Sequence, residues 1–108
     1  MKIVEVAVGV IKCDNKIFIS KRAKELHQGG KWEFPGGKRE ANESIEDALV
    51  RELSEEIGIQ VTQQSQFMLI EHDYGDKKVC LDVRLVENFE GDPNHQEGQQ
   101  SQWVDIND

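Results

Sequence analysis

One stretch of this chain is patterned as a helix, and several shorter ones are patterned as strands. At roughly 100° per residue, Ile45, Leu49, Leu53 and Ile57 fall within about a third of the wheel with Ala48 just outside, an apolar stripe that asks for a core. Asp47, Arg51 and Ser54 lie opposite and are expected in water. Asn42 or Ser44 offers the N-cap, Glu43, Glu46 and Asp47 suit the positive end of the helix, and Gly58 stops it.

Before this segment, Val4, Val6, Val8 and Val10 alternate with Glu5, Ala7, Gly9 and Ile11, the period of a strand. Asp14-Asn15 turns the chain back into Ile17–Ile19. The basic, glycine-rich run from Ser20 to Gly37 reads as a long loop with one short strand around Trp32–Phe34. After the helix, Phe67–Tyr74 and Lys77–Val86 flank a Gly75-Asp76 turn. In the second arm Val79, Leu81, Val83 and Leu85 alternate with Cys80, Asp82 and Arg84, which predicts one buried face. Gly91-Asp92-Pro93 opens a loop, and Gln102–Val104 forms a short last strand. This order predicts an α+β fold, a mixed sheet with the helix on one face.

The 108 residues, 37% of them hydrophobic, suffice for a single domain over 1–108 with one modest core. No apolar run approaches the ~18–20 residues of a membrane span, and the N-terminus lacks the layout of a signal peptide. The 21 acidic against 13 basic residues leave a net charge of −8, which repels a nucleic-acid backbone. A polyphosphate ligand would need bridging cations. Cys13 and Cys80 have no metal-type spacing and are expected as buried, reduced thiols, in keeping with the cytoplasm.

The helix carries an anomaly. Glu52, Glu55 and Glu56 project along the edge of the apolar stripe, where two like charges 5 Å apart repel by roughly 3 kcal/mol at an effective dielectric near 20. Hard divalent ions with oxygen ligands relieve such a cluster, Mg²⁺ typically through carboxylates and substrate phosphates. Gly36-Gly37, just upstream, lets the backbone approach a ligand.

Gly37, five residues, Glu43, seven residues and then Arg51-Glu52-Leu53-x-Glu55-Glu56-x-Gly58-Ile59 resembles the Nudix box at all nine specified positions. AVGVI near the start, KWEFPGGK, Val86-Glu87 and Glu97-Gly98-Gln99 are similar to the MutT-like branch of that family, and the similarity runs over essentially the whole chain. The resemblance implies a Nudix hydrolase that uses Mg²⁺ or Mn²⁺ to split nucleoside triphosphates into monophosphate and pyrophosphate, with 8-oxo-dGTP the leading substrate. CTP or dCTP forms are the alternative, and a non-catalytic nucleotide sensor is a rival that commonly loses box carboxylates kept here. It implies Glu52, Glu55, Glu56, Glu97 and the backbone of Gly36 or Gly37 as metal ligands. Glu52 or Glu97 would act on the attacking water, Arg51 would orient the glutamates through Glu55, and Glu43 would organise the loop. Arg22, His27, Phe34, Asp76 and Val79 would line the base and sugar pocket, with Lys21 or Arg22 at a phosphate. Trp32 and Trp103 are expected in packing, and His72 and His95 at the surface. The family continues into a second helix bearing a base-reading Asn; this chain stops at Asn107-Asp108, so it is expected to be C-terminally truncated. A monomer acting on free nucleotides is expected, away from nucleic acid and membrane.

Overall fold

In a computed structural model, residues 2–21, 32–94 and 100–106 are described. Strands β1 (Lys2–Cys13), β2 (Lys16–Lys21), β3 (Trp32–Glu33) and β4 (Gly36–Lys38) precede helix α1 (Ile45–Ile57). Strands β5 (Gln60–Asp73), β6 (Lys77–Glu90) and β7 (Ser101–Asp105) follow it. The sheet runs β3-β2-β1-β6-β5, with β4 added to β1 and β7 to β2. It is mixed, as expected: β1 and β6 are parallel and the other pairs antiparallel.

Helix α1 has the ends its sequence specifies. Ser44 is the N-cap, its hydroxyl accepting the Asp47 N–H at 3.0 Å, and Gly58 closes the helix in the left-handed region at φ 71°. Ala48, Leu49, Leu53 and Ile57 are buried on the sheet with Ala7, Ile11, Phe18, Ile59 and Val86. Phe18 meets Trp103 edge-on, ring centroids 5.4 Å apart.

Both faces of the sheet bury residues, and the helix packs on the one that the alternation in the second arm leaves polar. In the parallel register Ala7 lies opposite Asp82, Gly9 opposite Arg84 and Ile11 opposite Val86, so these residues share one face. A β-carbon on Gly9 would stand 3.1 Å from Leu53 Cδ1 and 3.3 Å from Leu49 Cδ1. The helix therefore packs on the small residues, which let it approach closely. Val79, Leu81, Val83 and Leu85 occupy the other face, Val83 buried and the rest half-buried, while Arg84 is buried on the face that carries the helix. There Arg84 Nε donates to Gln64 Oε1 at 2.6 Å and Nη1 to Asp82 Oδ1 at 3.2 Å.

Other expectations shift too. Pro35-Gly36-Gly37 reads as a chain breaker, yet Gly36 and Gly37 pair with Val8 and Ala7 as strand β4. At φ 156° a side chain on Gly36 would run into the Ala7 carbonyl, its β-carbon 2.0 Å from the oxygen. Strand β5 begins seven residues earlier than its apolar run. Trp32 is exposed rather than packed, Cys13 is exposed and Cys80 half-buried. No helix among the described residues is long and apolar enough to cross a membrane.

Candidate active site

The last two turns of α1 lie over β4, and the contact is as close as backbone permits. A β-carbon at Gly37 would stand 2.3 Å from Glu52 Cδ and 2.4 and 2.6 Å from its two oxygens, so only glycine leaves room for this carboxylate. One turn further on, Glu56 Oε2 accepts the Gly36 N–H at 3.2 Å. Two acids of the helix are thereby set on two consecutive glycines.

Arg51 ties the remaining acids together. Its Nη1 donates to Glu52 Oε1 at 2.9 Å and lies 3.5 Å from Glu55 Oε2. Nη2 and Nε reach the two oxygens of Glu43 at 2.8 and 3.2 Å, and Nη2 also donates to the Lys38 carbonyl at 3.0 Å. The bond to Glu43 is the main reason the guanidinium holds its proton more tightly than usual. In return Arg51, and then the Glu40 N–H, keep the Glu43 carboxyl below its ordinary value of 4.5. The expectation that Arg51 points into water is thus corrected: the side chain is half-buried among acids, its fork turned back along the helix. Its strongest partners are Glu43 and Glu52 rather than Glu55, which is 62% exposed.

Beside the glycines opens a cleft of about 410 Å³. Val6, Val8 and Leu81 form its apolar floor, Phe34 stands at the wall, and Gly36, Gly37 and Glu56 bound the end nearest the helix. Val79 lies on the same sheet face, two residues from Leu81, whereas Asp76 sits at the β5–β6 turn and does not line the cleft. Arg22, His27, His95 and Glu97 fall outside the described residues. His72 is exposed and rests on Tyr74 at 4.3 Å. The floor residues Val6, Val8 and Leu81 were not legible as site residues, because only the β1–β6 register makes them neighbours. Arg39, which bonds to Glu43's carbonyl at 2.8 Å, gave no sequence signal beyond charge.

The donor set suits a hard divalent ion. Glu52, Glu55 and Glu56 offer only oxygen, and Glu56 lines the cleft beside the glycine backbone. Among the described residues no three His, Cys, Asp or Glu side chains stand close enough to hold an ion unaided. Magnesium commonly completes its shell with water and substrate phosphates, so the residues fit such an ion when a phosphate ligand accompanies it.

The fold and this helix–glycine contact define a family. Residues 6–108 match the NUDIX domain model, and the chain belongs to that family. Within it the chain is a MutT-like Nudix hydrolase. It is 44% identical over 107 residues to the 8-oxo-dGTP diphosphatase of Escherichia coli strain K12, covering 98% of this chain and 83% of that protein. It is 37% identical over 103 residues to the CTP pyrophosphohydrolase of the same organism, covering 95% and 76%. A solved structure of MutT, from work on the proteins of Aliivibrio salmonicida and Vibrio cholerae, superposes with a TM-score of 0.87 at 45% identity, covering 98% of this chain and 82% of that one.

Proposed function

We propose that this chain, acting as one domain and as a monomer in the cytoplasm, hydrolyses nucleoside triphosphates to nucleoside monophosphate and pyrophosphate, with 8-oxo-dGTP the preferred substrate. Removing that nucleotide would keep an oxidised base out of newly made DNA. The carrying observation is the Glu52 carboxylate packed on Gly37 next to Glu56 on Gly36, with Glu56 and both glycines lining a cleft that also holds Val6, Val8 and Leu81. A base lies on Val6, Val8 and Leu81 against Phe34, and the triphosphate runs toward the glycines. Glu52 orients the attacking water and takes its proton, as the water oxygen bonds to phosphorus and the α–β phosphoanhydride breaks. Arg51 fixes Glu52; Glu52, Glu55, Glu56, Glu97 and a backbone carbonyl of Gly36 or Gly37 would hold the divalent ion, and Arg22, His27 and Val79 would contact the nucleotide. Mg²⁺ or Mn²⁺, when bound, neutralises phosphate oxygens and makes the water more acidic.

The test is pyrophosphate release from 8-oxo-dGTP, dGTP, CTP and dCTP. Glu52→Gln is expected to keep the fold and lose at least about a hundredfold in turnover; near-normal turnover would remove Glu52 from this role. The 37%-identical CTP pyrophosphohydrolase supports a second reading, preference for CTP, and the same panel separates the two.

A further inference from the structure

The loop that delivers Glu43 to the site has no place in the core. Arg39, Glu40, Ala41, Asn42 and Ser44 are all exposed, and Asn42 adopts a positive φ of 70°. What fixes this loop is charge centred on Arg39. Its backbone N–H donates to the Glu5 carbonyl at 2.8 Å, extending the β1–β4 pairing by one residue. Its Nε pairs with the Glu5 carboxylate. Its Nη1 donates to the carbonyls of Glu40 at 3.3 Å and Glu43 at 2.8 Å. The Glu43 carboxylate then accepts the Glu40 N–H at 2.8 Å and the Arg51 fork. Arg51 in turn holds Glu52. One continuous chain of hydrogen bonds leads from the first strand to the carboxylate on Gly37.

We propose that Arg39 and Glu5 are positioning residues, which hold the loop so that Glu43 meets Arg51 and Arg51 keeps Glu52 over Gly37. The inference rests on the reading that Glu52 acts on water. A guanidinium is required because one planar fork must serve a carboxylate and two carbonyls together, which an ammonium on a flexible stem does not do. In the Glu5–Arg39 pair the side chains are 44% and 34% exposed respectively, and exposed pairs contribute little to global stability. Its effect belongs instead in geometry, where small displacements at a reacting centre cost large factors in rate.

The experiment compares the full chain with Arg39→Met, Arg39→Lys, Glu5→Gln and the Glu5→Gln/Arg39→Met double variant, with Glu52→Gln as control. Arg39→Met should lower kcat about tenfold with KM nearly unchanged, and Arg39→Lys should not restore it. Glu5→Gln should cost less, and the double variant no more than Arg39→Met, because both residues act through one chain of contacts. Hydrogen exchange, which needs no turnover, should quicken at the amides of Arg39 and Glu40 while the amides of α1 stay protected. Wild-type kcat and unchanged exchange in Arg39→Met would overturn the proposal. So would a rise in KM alone, which would place Arg39 on substrate, or a loss of activity matched by a collapse of the melting temperature. If the wild-type chain releases pyrophosphate from no nucleotide, the hydrolase reading fails instead, and the exchange arm still decides whether Arg39 orders the loop.

Discussion

Glycine at position 37 is where backbone and chemistry meet most closely. In Gly37→Ala the new methyl would overlap the Glu52 carboxylate, the mobile end of a long side chain, so the side chain moves and the fold does not. Turnover should fall about a hundredfold while the melting temperature changes little; a variant with full activity would show that the seat on Gly37 is unimportant. Glu43 offers a second test, in pH. Its folded carboxyl is held below 4.5 by Arg51 and then by the Glu40 N–H. A depressed folded value means that the stabilisation is fully present above the unfolded value and is lost as pH falls through the folded one. Urea unfolding across that acidic window should therefore show stability dropping with added acid, with a shallower drop in Glu43→Gln. Glu71, depressed chiefly by Lys78, leaves a residual slope in that variant. An unaltered slope would detach Glu43 from acid sensitivity. Arg51 shows why a wheel misleads at this scale: it fixes the direction of Cβ, not where the rest of a long flexible side chain turns once acids surround it.

Helix α1 was legible from end to end, because its cap, its stripe and its terminal glycine are local signals that agree. Strand β5 was legible only in its apolar half. Residues Gln60–Gln66 carry no alternation, and their strand state comes from the ladder with β6, whose irregular register between Val61 and Met68 no local pattern encodes. Strand β6 was legible as a strand but not in its orientation, since both of its faces are partly covered and the polar set turns out to face the helix. Asp82 and Arg84 are the consequence: their side chains are 14% and 11% exposed, joined at 3.2 Å and bonded to Gln66 and Gln64. Removing one partner strands a nearly buried charge, so Asp82→Ala should destabilise by about 3 kcal/mol. Replacing both residues with apolar ones of similar volume should cost less than that single change. Chemical denaturation of the three chains decides it; a single variant as stable as wild type would mean that Gln64 alone satisfies the arginine.

At the scale of the whole molecule, the parallel pairing of β1 with β6 does what no local pattern announces: it sets Leu81 beside Val6 and makes a floor from segments about 75 positions apart. The acidic box was legible because its spacing is fixed within one helix, whereas the floor depends on a crossover that sequence periodicity does not specify. Net charge adds a constraint on how that site works. At −8 the protein repels a polyphosphate over its surface, and the acids of α1 repel it most. Nucleotide binding should therefore depend on divalent cation far more than on the apolar floor. With a non-hydrolysable nucleoside triphosphate alone, the melting temperature should barely move. Adding Mg²⁺, with ligand about a hundredfold above its Kd, should stabilise by about 2.7 kcal/mol, a rise of roughly 10 °C or more for a domain of this size. Mg²⁺ without nucleotide should give a much smaller rise, because the carboxylates alone leave most of the ion's shell to water. Glu56→Gln should reduce the combined effect, and a full shift from nucleotide without any divalent ion would show that the acidic helix is not what couples this protein to its ligand.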